Sequence, residues 1–209
     1  PEFPAGKPLF IFASHFHADH YAPVIFQLGE KRENVFYILS KEIGKKIPEE
    51  YRKRYKDRIR LVKAGERFCL NISEESLIVE TFHSTDEGVA FWLSCEGKEI
   101  YHAGDLNNWW WEGEDMAWNR NMAASYKQEM KKLSGRTADL AFIPVDPRQE
   151  QWFYLGVAGF MEQADTKWIF PMHFWEDYTI IPKLIEHPFS EGWRDRIVEI
   201  HKEGEEFIR

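Results

Sequence analysis

The chain reads as a layered α/β domain built on a central β-sandwich, and three features of the sequence point to it. Near the start, a strand, a histidine-rich polar loop, a helix and a second strand follow one another. In the middle, apolar segments are separated by hairpin-length turns, and the last third alternates strand-like with helix-like segments. The 209 residues, 44% hydrophobic and 30% charged, supply one globular domain spanning 1–209. No internal repeat, low-complexity tract or linker divides it.

The run Pro8-Leu9-Phe10-Ile11-Phe12-Ala13 is continuously apolar, as a buried strand should be. It leads straight into Ser14-His15-Phe16-His17-Ala18-Asp19-His20. Pro23, tolerated in a first helical turn, opens a helix to Leu28, and 35–39 reads as the next strand. Residues 48–57 are charged and predict a surface helix, followed by a strand over 58–63 and a turn at Ala64-Gly65-Glu66. From Ser76, strands come in quick succession over 77–82, 89–95 and 99–102, with Glu96-Gly97-Lys98 as a hairpin turn. A long helix is predicted over 115–133, carrying Met116, Met122, Ala123, Tyr126, Met130 and Leu133 at near-helical spacing and stopping before Gly135. Strand 140–145, helix 155–163, strand 167–171 and helix 180–186 follow, and 196–208 reads as a closing hairpin around Glu203-Gly204.

Lysine and arginine total 27 against 35 acidic residues, a net charge of −8, with basic side chains scattered except over 52–60. Nucleic acid is therefore not an expected partner. No apolar run approaches the ~20 residues of a membrane-spanning helix, so no membrane contact is expected either. The sequence opens at Pro1 without a basic, apolar leader, and Cys69 and Cys95 lie in strand-like contexts without CxxC spacing. Reduced thiols and a cytoplasmic location are the expectation. Aromatic residues make up 16% of the chain, 9 of them tryptophans, enough either for a core or for the wall of a pocket.

His15, His17, Asp19 and His20 carry the chemistry, because they set metal-competent side chains side by side directly after a buried strand. Imidazole and carboxylate are ligands for zinc and related ions. On an extended backbone His15 and His17 aim the same way, leaving Asp19 and His20 to point elsewhere, as a second ion would require.

A strand followed by this His-x-His-x-Asp-His motif resembles the metallo-β-lactamase superfamily, and later motifs follow in the order of that family. Phe82-His83-Ser84 ends a strand where the family supplies its next histidine, and Gly88-Val89-Ala90-Phe91 resembles the strand after it. Tyr101-His102-Ala103-Gly104-Asp105 resembles the Gly-Asp element, and Phe170-Pro171-Met172-His173 the strand end that brings the last histidine. The resemblance implies an αββα sandwich, here shortened at its N-terminus because only residues 1–7 precede the motif strand. A first sheet with an unpaired edge, prone to homo-oligomeric association, is expected from that shortening.

The resemblance also implies two divalent metal ions, with zinc expected and manganese or iron as alternatives. One would be held by His15, His17 and His83, the other by Asp19, His20 and His173, with Asp105 bridging them. The loop His-Ser-Thr-Asp-Glu-Gly departs from the family's commoner His-Thr-Pro-Gly, so Asp86 or Glu87 could be presented there instead of His83. The implied activity is hydrolysis of a small ester, lactone or phosphoester by a metal-bound hydroxide. Asp105 and Asp19 are the catalytic carboxylates, Asp19 as a proton donor to the leaving group. The motif contexts are similar to the branch of ascorbate-6-phosphate lactonase. A metal-binding protein of the same fold with little turnover, or a di-iron redox relative, is the alternative.

Trp109 and Trp175 are candidates to wall a substrate pocket, and Arg148 to pair an acidic substrate group, although core packing and a surface salt bridge explain them as well. Asp139 and Asp146 flank a strand, and either could orient a ligating imidazole. His102 is expected to support the site or the core rather than to ligate, and His187 and His201 to lie at the surface.

Overall fold

The computed structural model of the chain describes residues 3–4, 6–72 and 75–208. Strands β1 (Leu9–Ala13), β2 (Val35–Ser40) and β3 (Ile59–Val62) form a parallel sheet in the order β1-β2-β3, with β1 at an edge. Parallel neighbours need crossovers, and helices α1 (Phe26–Lys31) and α2 (Glu49–Arg54) lie in them. Strand alternation sends Ala13, Val35, Tyr37 and Leu39 toward those helices, where Phe26 and Tyr55 close a core. Phe10, Phe12, Ile38 and Val62 face the opposite way.

That opposite face packs on a second sheet. It comprises β4 (Arg67–Ile72), β5 (Glu75–His83), β6 (Val89–Cys95), β7 (Lys98–His102), β8 (Thr137–Pro144) and β9 (Asp165–Met172), in sequence order. Val79 and Phe91 meet the first sheet, with Phe12 edge-on to Phe91 at 5.2 Å between centroids. Its other face, through Trp92, Tyr101, Ala141 and Ile169, packs under α3 (Met116–Met130), α4 (Leu155–Met161) and α5 (Ile180–Glu186). The layers are helix, sheet, sheet, helix.

Direction along the second sheet decides where a site can form. Strands β4 to β7 pair antiparallel, then β7, β8 and β9 pair parallel, so β5, β7, β8 and β9 all run the same way. Their carboxyl ends open on one rim.

Most elements fall where the sequence predicts, with four differences. The hairpin run opens one strand earlier than Ser76, at β4, where Phe68, Leu70 and Ile72 alternate with polar residues. Strand β8 starts at Thr137 rather than Leu140. The segment at Pro23 begins as a 3-10 turn, Pro23–Ile25, before the α-helix. The closing hairpin over 196–208 does not form: Ile197 makes one bridge to Ile169, Gly204 turns at φ +70°, and 205–208 finds no strand partner. Cys69 is exposed and Cys95 half-buried. No helix among the described residues is long and apolar enough to cross a membrane.

Candidate metal centre

The loop after β1 turns sharply: the N–H groups of His20 and Tyr21 both donate to the carbonyl of His17, which brings Asp19 and His20 back over His15. The buried Ser14 hydroxyl lies 3.1 Å from Nδ1 of His15 and 3.2 Å from Nδ1 of His20. With both Nδ1 atoms occupied, both Nε2 atoms turn to Asp105, at 3.3 Å from His15 and 3.0 Å from His20. The Nε2 of His15 also lies 3.0 Å from Nδ1 of His17.

Asp105 follows β7 through the tight Gly104 turn. Gly104 sits at φ +54°, and a Cβ there would come 2.6 Å from Cβ of Ser14, so only glycine lets the two loops meet. His173 follows β9, itself in the left-handed region at φ +67°, with Trp175 at +52° and Glu176 at +61°. Three such non-glycine residues within one loop mark a backbone bent to aim side chains. The Nε2 of His173 reaches Asp19 at 3.5 Å and Asp105 at 3.6 Å.

Ligand atoms therefore converge in overlapping groups, all within 4.8 Å of one another in each: His15 with His17 and Asp19, His15 with His20 and Asp105, Asp19 with His20 and His173, and His17 with Asp86 and Asp105. A buried Asp105 oxygen, Oδ1, has no well-formed hydrogen bond although an imidazole nitrogen is close. Imidazoles and carboxylates converging on one point, with an orphaned acceptor among them, are a donor set that fits divalent metal.

The electrostatics follow from burial and proximity. Burial pulls the His15 imidazole down to about 4. Burial pushes Asp105 up, but the surrounding imidazoles, His20 foremost, outweigh it and leave the carboxyl below its usual range. Burial and the charge of Asp105 raise Asp86. His173 is lowered by burial and raised more by Asp146, ending above its ordinary value.

Support differs for the two candidate orienting aspartates. Asp146 is fully buried at the end of β8, with Oδ2 2.9 Å from Nδ1 of His173, and it accepts from Trp175 and Arg148. Asp139 instead accepts from Lys167 and the Glu99 N–H, away from the site. His102 stays out of the cluster: its Nδ1 accepts the Gly104 N–H, its ring stacks on Phe142, and burial takes it down to about 4. His201 is exposed, whereas His187 is half-buried against Tyr154.

His83 is the one expected ligand that the structure leaves out. Phe82 and Ser84 on either side of it are buried, alternation puts His83 on the opposite face, and its side chain is exposed. Asp86, three residues on, reaches the cluster instead.

A cavity of about 400 Å³ opens over the ligands. Trp109, Trp111, Trp118, Met122 and Trp175 wall it, and Arg148 stands at its side. Trp109 is buried, donates its Nε1–H to the carbonyl of Asp105, and stacks parallel to Trp111. The Arg148 guanidinium pairs with Asp146 and lies 4.5 Å over the Trp175 ring. Trp110 and Trp152 pair elsewhere, and Trp152 donates to Glu112. Sequence reasoning missed Ser14, whose only signal was its place before the motif, and the Asn107–Gln149 pair that anchors the tryptophan loop.

No protein-family model and no curated protein matches the chain. Among solved structures it is similar to CmlA, a diiron β-hydroxylase from Streptomyces venezuelae, at 12% identity over 78% of this chain and 35% of CmlA, TM-score 0.42. It is similar to Zn2+-bound PqqB from Methylobacterium extorquens at 10% identity over 79% of this chain and 62% of PqqB, TM-score 0.45. It is also similar to the metallo-β-lactamase fold protein YhfI from Bacillus subtilis, at 10% identity over 79% of this chain and 65% of YhfI, TM-score 0.42. The chain spans between about a third and two thirds of the length of these proteins. Its own layer order, helix, sheet, sheet, helix, with the His-x-His-x-Asp-His loop at the end of the first strand, is the αββα arrangement that the sequence resemblance implies.

Proposed function

We propose that the chain is a hydrolase of the metallo-β-lactamase superfamily that cleaves a small ester, lactone or phosphoester with two divalent cations, zinc foremost. The carrying observation is the convergence of His15, His17, Asp19, His20, Asp105 and His173. Such ions acidify water and polarise a carbonyl or phosphoryl oxygen. The side chains do the rest. Asp105, between the imidazoles of His15, His20 and His173, ties the two halves of the site together. Asp146 and Ser14 fix which nitrogens of His173, His15 and His20 face inward. Asp19 is exposed at the cavity wall, where a carboxyl can hand a proton to a departing oxygen.

The tryptophan wall bears on substrate class. Trp109 and Trp175 offer faces to an apolar or ring-shaped group. Arg148 commits Nε and Nη2 to Asp146, which leaves Nη1 to pair an acidic substrate group. A lactone or ester bearing a ring and a carboxylate or phosphate fits this lining, and the lactonase-like branch is the narrower form of the proposal.

Mass-spectrometric metal analysis of the purified protein, paired with turnover of lactones, thioesters and phosphodiesters by wild type and His17→Ala, tests the proposal. Near two equivalents of metal and a turnover abolished by His17→Ala support it. Two equivalents with no turnover favour a metal-binding protein, and less than one equivalent with no turnover sinks the dinuclear reading.

A further inference from the structure

We infer that the carboxylate of Asp86, not the imidazole of His83, completes the first metal position together with His15, His17 and Asp105. The inference rests on the dinuclear reading above and specifies one of its ligands.

The loop that carries both candidates is clamped at each end. At its start, Ser84 is buried and its Oγ accepts the Asp86 N–H at 3.2 Å, curling the chain so that Asp86 faces the rim. Next to it, Thr85 exchanges two bonds with Asn107: its Oγ1 donates to the Asn107 carbonyl at 2.6 Å and accepts the Asn107 N–H at 3.0 Å. At its end, Gly88 takes φ +75° against the carbonyl of Ser14, and the Val89 N–H donates to that carbonyl at 3.0 Å. The loop is thus pinned to the two segments that carry His15 and Asp105. The result is a ligand atom on Asp86 within 4.8 Å of ligand atoms on His17 and Asp105. No hydrogen bond or ion pair is found for the Asp86 carboxylate among the described residues, whereas His83 is turned to solvent.

Exchanging an imidazole for a carboxylate changes what the site selects. Both positions then offer two imidazoles and two carboxylates, counting Asp105 in each. Carboxylate oxygen suits manganese better than imidazole nitrogen does, so zinc should lead manganese by less than at a three-histidine site.

Metal equivalents, competition against a chelator and the visible spectrum of the cobalt-loaded protein test this in wild type, Asp86→Asn, Asp86→Glu and His83→Ala, with circular dichroism to check folding. His83→Ala is expected to keep both ions and an affinity within about twofold. Asp86→Asn should lose at least tenfold in affinity for one ion while keeping the other, with the cobalt spectrum altered and partly restored in Asp86→Glu. The reverse pattern, or an Asp86→Asn protein that matches wild type while wild type binds two ions, overturns the inference and leaves the dinuclear reading standing. Less than one ion in wild type overturns both.

Discussion

The Oδ2 atom of Asp146 lies 2.9 Å from Nδ1 of His173, so the end of β8 sets the orientation of the imidazole delivered by the end of β9. Burial opposes the Asp146 charge, but hydrogen bonds from His173 and Arg148 hold the carboxyl well below the usual range, so it stays ionised. Replacing Asp146 with Asn removes the charge while keeping the shape. Under the proposed dinuclear reading, the expected result is a loss of roughly 10–100-fold in affinity for the ion assigned to His173, with the other ion retained, read by chelator competition.

Ser14 serves His15 and His20 together, which makes its hydroxyl a shared restraint. In Ser14→Ala both imidazoles are free to change tautomer or tilt. Both ions should weaken, by about tenfold, in contrast to the one-sided effect of Asp146→Asn. Calorimetric titration of the two variants side by side separates these outcomes.

Burial places the folded pKa of His15 at about 4, below the 6.5 of an unfolded imidazole. Above pH 6.5 both states are neutral, and the His15 contribution to stability is intact. Between 6.5 and about 4 the unfolded state takes up a proton that the folded state resists, so this contribution is lost as pH falls. Urea unfolding of the metal-free protein at pH 7 and pH 5 should show a larger loss for wild type than for His15→Gln. An equal loss in the two would remove His15 as its source.

Gly88 and Gly97 have similar backbones, at φ +75° and +73°, in different surroundings. A Cβ on Gly97 meets nothing within 4 Å, whereas one on Gly88 would come 1.9 Å from the Ser14 carbonyl oxygen and 2.6 Å from Cβ of His15. Gly97→Ala should cost only the left-handed penalty, about 1–2 kcal/mol. Gly88→Ala should cost more and weaken metal binding as well, because the backbone it displaces carries His15. Thermal melts and metal titrations on both variants check the difference.

Removing the Tyr101 hydroxyl is expected to leave stability unchanged or raise it by up to about 1 kcal/mol. The ring is buried and its oxygen has no hydrogen-bond partner among the described residues, so Tyr101→Phe keeps the packing and drops an unsatisfied polar atom. Denaturant midpoints of the two proteins measure it.

Much of the fold was legible because short apolar runs and turn residues are local signals. The strands around Phe10, Ile38, Phe91 and Ile169 needed no tertiary information. The hairpin expected over 196–208 failed because a strand needs a pairing partner as well as a pattern, and beyond the single bridge of Ile197 no strand pairs with it among the described residues. Strand β4 showed the converse: partnership with β5 along its whole length makes a strand of a segment whose short, mixed sequence does not predict one.

For the site, the residue types at 15, 17, 19 and 20 point to metal chemistry by their spacing alone, whereas 105 and 173 are reached only through the family resemblance. What the sequence left open was every choice between chemically equal candidates. His83 against Asp86, Asp146 against Asp139, and pocket wall against core for Trp109 and Trp175 all turn on segments distant in the chain meeting at the rim of a sheet. Ligand identity is a property of a side chain and can be read one residue at a time. Ligand position depends on where Ser14, Asn107 and Gly88 pin their loops, and only the packed layers settle it.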